Sequence, residues 1–319
     1  MTEQTTARVE SVRGKNLLKL VGSVLVVGIV LFFLGRVLYS NWAQIRAYQW
    51  QFNLPFLSLS FVALVGSYMM DIGVWRQAIV RMGEKITYPQ ALRLYFTAGL
   101  GKYIPGTVWQ FVGWFYLAQR EGVSGLAAGT SLVLTQALSA MAGAMLALGA
   151  FAASGSKDAL GQLVPLVMII PIALIVLQPR LIEAVLNLGL TKIGRQPVHF
   201  NLTRADLAIL FVLYLCSYSL WGLALFLFAN ALTPLDWVSF APFLGVFPAS
   251  YALGLVAPFA PAGLGVREAA LTYFLSFFVS LPIATVIALL TRPWMIVVEL
   301  VGALWALISY ARDRHKGDV

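Results

Sequence analysis

Two short motifs place a fixed positive charge beside a backbone break in otherwise apolar sequence. The first is Gly101-Lys102-Tyr103-Ile104-Pro105-Gly106. The second is Pro258-Phe259-Ala260-Pro261-Ala262-Gly263-Leu264-Gly265, followed by Val266, Arg267 and Glu268. Pro and Gly interrupt a helix, and the chain after each break is predicted to restart one, at about Val108 and at about Val266. A helix start exposes unpaired N–H groups and the positive end of the helix dipole. Such ends bind phosphate or carboxylate, and Lys102 and Arg267 add full charge beside them. The chemistry expected is anion recognition, by Lys102, Tyr103, Pro105, Gly106 and Gln110 from one break and Gly263, Gly265, Arg267 and Glu268 from the other. The plainer alternative is that both breaks are turns and both cations are paired or snorkel to the interface.

Other charges stand inside apolar runs, where they are costly and belong to a function or a partner. Arg76, five positions on, is a candidate partner for Asp71 but is not ideally placed. Arg292 and Glu299 lie two turns apart on one helix face, too far along the axis to be assumed a direct pair. They either line a polar groove or satisfy other helices. Asp71, Arg292 and Glu299 are therefore cavity-lining or coupling positions. Glu268 is either a cap on its own half-helix or a coupling group. Gln136 adds a further polar side chain. No nucleotide loop, Ser-His-Asp set or metal cluster is present. With His199 and His315 the only histidines and Cys216 the only cysteine, no metal, cofactor or catalytic residue is expected.

The elements that must position these residues follow from composition. Of 319 residues, 60% are hydrophobic and 11% charged, against about 25% charged in a soluble domain. Several apolar runs reach the roughly 20 residues that cross a bilayer as a helix. The class is all-α, a polytopic integral membrane protein. Full spans are expected at about 17–39, 54–80, 124–153, 161–177, 205–232 and 281–310. The last is kinked near Arg292-Pro293. The two interrupted regions, 91–117 and 237–279, lie between them, and residues 180–191 read as an interfacial amphipathic helix.

Basic residues decide the orientation. They crowd the N-terminal tail, the stretch 76–93, the stretch 180–204 and the C-terminal tail. If both interrupted regions are re-entrant hairpins, all four stretches fall on the cytoplasmic side. The result is six spans, two broken hairpins and both termini in the cytoplasm. The alternative is that one or both regions cross fully, giving eight or more spans. In the hairpin reading residues 1–16 and 312–319 are tails around one transmembrane domain, 17–311. Two units, about 54–153 and 205–310, then form an inverted repeat around a midplane site, the layout of transporters built from broken helices. The formal net charge of +9 points to anionic lipid headgroups rather than nucleic acid.

Composition and spacing lead to a transporter or a lipid-binding membrane protein. The two motifs, Lys102 to Gly106 and Pro261 to Glu268, resemble the paired signatures of the flippase-like lysylphosphatidylglycerol synthase transmembrane family. The likeness runs over roughly residues 15–312. In larger members this region precedes an aminoacyl-transferase domain and is thought to flip the modified lipid. Nothing in these 319 residues resembles that transferase, so synthase activity is not expected of them. The resemblance implies a lipid translocase in the cytoplasmic (inner) membrane. Its cargo would have a phosphate-containing headgroup, either an anionic phospholipid or a polyprenyl-phosphate lipid. Two alternatives are a membrane factor or enzyme acting on polyprenyl-linked sugars and an ion-coupled transporter of a small anion.

The orientation can be tested at Lys157, which is expected to face away from the cytoplasm. In a Cys216→Ala background, Lys157→Cys should react with a membrane-impermeant thiol reagent added outside intact cells. Labelling only after permeabilisation would invert the topology.

Overall fold

The computed structural model describes residues 38–103, 109–153, 202–255 and 265–317, with scattered positions in 32–36 and 178–191. Among the described residues there are helices and no strands. Four of the expected spans are continuous helices: α2 (Leu54–Arg81), α5 (Gly125–Ala153), α6 (Arg204–Leu232) and α10 (Leu281–Gly317). The spans expected at 17–39 and 161–177 lie essentially outside the described residues. Shorter helices are α1 (Trp42–Ala47), α3 (Tyr88–Gly99), α4 (Trp109–Arg120), α7 (Phe240–Phe243), α8 (Val246–Leu255) and α9 (Val266–Leu275). Among the described residues, five stretches are long and apolar enough to cross a membrane. They are Leu54–Arg81, Gly125–Ala150, Arg204–Leu232, Leu281–Tyr310 and Trp237–Gly254. The last was expected only as one arm of a broken region, and it is itself interrupted by a turn at Leu244-Gly245.

Polar residues gather at the two ends of the bundle and fix the direction of each helix. At one end, Arg81 pairs with Asp206, so α2 finishes where α6 begins. Thr203 and Asp206 form a capping box on α6, and Thr87 and Gln90 form one on α3. These boxes satisfy N–H groups that a helix start leaves free. Glu84 accepts the Ser124 N–H at 3.3 Å, tying the approach to α3 to the beginning of α5. Arg93 lies 3.9 Å from Glu121 and 4.9 Å from the Tyr310 ring, and the Tyr310 hydroxyl donates to Glu121 at 3.2 Å. The start of α3, the end of α4 and the end of α10 therefore meet there.

At the opposite end, the Gln51 and Asn53 N–H groups donate to the carbonyls of Leu232 and Ala231, at 3.1 and 3.0 Å. Tyr48 hydrogen-bonds Thr233, and Gln44 donates to Ser280 at 3.5 Å. The chain thus leaves α6 and returns to α10 on the same side. The antiparallel pair α2 and α6 forms the central interface, which buries Leu64, Ile72, Leu207, Leu210 and Leu225.

Both interrupted regions begin and end at one side of this frame. The helices α3 and α4 have 12 residues each. At 1.5 Å per residue each reaches about 18 Å, short of a hydrocarbon core of about 30 Å. They lie against one another, and a Cβ on Gly101 would meet the Gln110 backbone nitrogen at 2.9 Å. In the second region Phe243 and Phe278 bring the arms together at 5.1 Å between rings. Gly265 opens α9 with φ 86°, a conformation in which any Cβ is strained.

Glycine also sets how closely neighbouring segments approach. A Cβ on Gly222 would stand 2.6 Å from the Leu244 Cα and 2.7 Å from its carbonyl oxygen. Backbone cannot yield as a side-chain tip can. Gly222→Ala should therefore lower stability by about 1–3 kcal/mol, the usual cost of overpacking. Gly149→Ala, where a Cβ meets no described atom within 4 Å, should be neutral. Thermal unfolding of both variants in detergent checks this, and equal midpoints would show that the α6–α7 contact is slack.

Candidate functional site

Three of the long helices present a polar or aromatic stripe to the middle of the molecule. On α2 the stripe is Tyr68, Asp71 and Trp75. On α6 it is Tyr214, Tyr218 and Trp221. On α10 it is Arg292, Met295 and Glu299. The spacings of three, four and seven residues put each set on one helical face. Together with Lys102, Tyr103 and Gln110 from the first break and Arg267 from the second, these residues line a cavity of about 290 Å³.

Glu299 is the hub on one side. It accepts from Lys102 Nζ at 2.5 Å, from the Tyr103 hydroxyl at 2.6 Å and from the Tyr68 hydroxyl. Glu268 is the hub on the other. It pairs with Arg292, and its other oxygen accepts the Gly265 N–H at 2.6 Å, capping the start of α9. A carboxylate at the third helical position is suited to this reach. The last helix thus holds both breaks, the first through its carboxylate and the second through its guanidinium. Removing one partner of such a pair strands the other in a medium that solvates it poorly.

Arg267 is bound differently. It is 7% exposed, its guanidinium carbon lies 4.7 Å from the Phe247 ring centre, and one nitrogen approaches the Met295 sulfur at 3.0 Å. Its Nε has no hydrogen-bond partner among the described residues, and no described carboxylate forms an ion pair with it. Phe247 stacks on Trp221 with centroids 4.4 Å apart and 11° between planes. The Trp221 indole N–H then donates to Asp71 at 3.0 Å.

The structure corrects one expectation and decides another. Arg76 is not the partner of Asp71. Five residues of helix turn it through about 500°, onto another face, and its Nε donates to the Ile86 carbonyl at 2.9 Å. Asp71 instead accepts from Ser217 at 2.5 Å and from Trp221. Lys102 pairs with Glu299, which is the paired alternative for that cation. Arg292 and Glu299 both line the cavity and satisfy other elements, so the two alternatives for them hold together. Gln110 and Gln136 lie on the wall. Pro105, Gly106 and Gly263 lie outside the described residues. Trp114 stacks on Trp75 at 5.6 Å on the cavity wall, whereas Trp42 and Trp109 are exposed. Sequence reasoning missed the aromatic wall, whose signal was the repeated Tyr and Trp spacing on α2 and α6.

Comparison with known families bears on this cavity directly. Residues 19–302 match the family described as the lysylphosphatidylglycerol synthase TM region. The chain belongs to this family. The matched region takes in both breaks and every described cavity residue, so the family relationship covers the site as well as the scaffold. No curated protein matches the chain. The protein is therefore a multi-pass membrane protein of a lipid-related family.

The hub at Glu299 is testable by a double-mutant comparison. Glu299→Ala should cost about 3–5 kcal/mol of stability by leaving Lys102 buried without its carboxylate. Adding Lys102→Met should recover a large part of that loss. Unfolding midpoints of the two single variants and the double variant measure the coupling. A double variant no more stable than Glu299→Ala would show that the pair does not hold the first break.

Proposed function

We propose that this protein is a translocase for a lipid with a phosphate-containing headgroup. The headgroup enters the central cavity while its tails remain in the bilayer. The observation that carries this reading is Arg267, a guanidinium on the cavity wall that has an aromatic ring and a thioether beside it in place of a described carboxylate. An uncompensated charge at bilayer depth costs at least about 2.5–3.5 kcal/mol on insertion scales. A phosphate would offset that cost and occupy the donors Arg267 leaves free. The lipid-related family supports lipid as the source of the phosphate, either an anionic phospholipid or a polyprenyl-phosphate lipid.

In this reading both interrupted regions are re-entrant hairpins, and residues 54–153 and 205–310 form two units of opposite orientation. The supports are the shortness of α3 and α4, the return of each region to its own side, and the antiparallel course of α2 and α6. The protein lies in the cytoplasmic membrane with both termini in the cytoplasm, as its basic stretches require. The site lies between the units, where a rocking movement would open it to each side in turn.

Arg267→Ala should weaken transport of a headgroup-labelled phospholipid in proteoliposomes by about ten- to a hundredfold, the worth of one charge-assisted hydrogen bond. The folded protein should persist, because no described carboxylate depends on that guanidinium. Arg267→Lys should restore transport in part, keeping the charge and losing the planar stack. Wild-type transport by Arg267→Ala would remove Arg267 from the binding site.

A further inference from the structure

Arg267 accounts for one charged pole of the cavity, and Asp71 forms another of opposite sign. Asp71 Oδ1 accepts from Ser217 and Oδ2 from Trp221. Both donors are neutral, and no described Lys or Arg makes an ion pair with Asp71. The other described acids of the cavity region are matched, Glu299 by Lys102 and Glu268 by Arg292. The stacked rings of Phe247 and Trp221 stand between Arg267 and Asp71 and keep them from neutralising each other.

The surroundings of Asp71 suit a positive guest. Tyr95, Tyr214, Tyr218 and Tyr251 line the same cavity as Asp71, with the Tyr218 ring centre 6.5 Å from that of Tyr214 and 6.2 Å from that of Tyr251. Phenol oxygens can coordinate an alkali cation, and aromatic faces attract an ammonium group. A divalent ion fits poorly. Such ions gather six or more oxygens, several of them carboxylate, and among the described residues no three of His, Cys, Asp and Glu stand together.

We propose that Asp71 and the tyrosine wall around it form a binding site for a monovalent cation, distinct from the anion pole at Arg267. The cation is either a free alkali ion or the ammonium of a lipid headgroup. The site uses the cavity of the proposed translocase but does not depend on a phosphate at Arg267, so the two readings can fail separately.

The test uses tryptophan fluorescence of the purified full chain in detergent, since Trp221 touches Asp71. One arm titrates NaCl at constant ionic strength, balanced with the bulky N-methylglucamine cation. The other compares short-chain phosphatidylethanolamine, which carries an ammonium, with short-chain phosphatidylglycerol, which does not. A saturable sodium response identifies a free cation. Tighter binding of the ethanolamine lipid, by at least about tenfold for one charge-assisted contact, identifies the headgroup ammonium. Either response should be lost in Asp71→Asn, whose amide can still accept from Trp221 and donate to Ser217. In Arg267→Ala the sodium response, or the preference for the ethanolamine lipid, should persist. Lipid binding unchanged by Arg267→Ala would sink the phosphate reading alone. The cation site is overturned if wild-type protein shows neither saturable sodium binding nor a preference for the ethanolamine lipid, or if folded Asp71→Asn responds like wild type. Should Asp71→Asn fail to fold, the wild-type arms decide.

Discussion

A charge inside a bilayer must be answered by another charge or by a dense set of hydrogen bonds, and this constraint organises the molecule. Hydrocarbon solvates neither ions nor free backbone groups. Lys102, just after α3, and Glu268, on α9, therefore need a fixed element to answer them. That fixed element is α10, through Glu299 on Lys102 and Tyr103 and through Arg292 on Glu268. The polar contacts at the two ends of the bundle repeat the principle closer to water, where Arg81, Asp206, Arg93 and Glu121 set which way each helix runs.

Within this scheme the cavity is the place where compensation is incomplete. Lys102, Glu299 and Arg292 are answered by charged side chains, while Arg267 rests on an aromatic ring and Asp71 on two neutral donors. A wall of tyrosine and tryptophan surrounds them. Such a wall suits a guest that is part apolar and part polar, because each ring offers an apolar body with a polar edge. The tightly packed glycines around the cavity, Gly222 against Leu244 and Gly302 against Phe96, let the helices approach closely enough to enclose it.

Much of this was legible in the sequence because its signals are strong and local. Long apolar runs announced α2, α5, α6 and α10. Pro and Gly beside Lys102 and Arg267 announced the breaks, and the family resemblance agreed with them. The partners were not legible. Whether Lys102 meets Glu299 or a ligand depends on which helices pack together, and residue spacing along one chain does not specify that. Asp71 misled for the same reason. Arg76 was near it in sequence, but Ser217 and Trp221, about 150 positions away, were near it in space. The aromatic stripes on α2 and α6 were readable in principle. They were hidden because tyrosine and tryptophan in a membrane span are also expected as interfacial anchors.

The order of signs along α10 has a mechanical consequence. Arg292 and Glu299 are separated by one heptad, about 10 Å along the helix axis, and each faces an opposite charge on a different break. Sliding α10 lengthwise by that heptad would carry Arg292 toward Lys102, or Glu299 toward Glu268. Like charges would then meet in a medium that hardly screens them. A shift of that length is therefore opposed by like-charge repulsion, while pivoting about the stretch 292–299 keeps both contacts near their partners. Pro293, immediately beside Arg292, removes the hydrogen bond that would otherwise reach the Leu289 carbonyl and so softens the rod at that pivot. The electrostatic register thus works as a keyed shaft, opposing that translation and leaving bending as the freer motion.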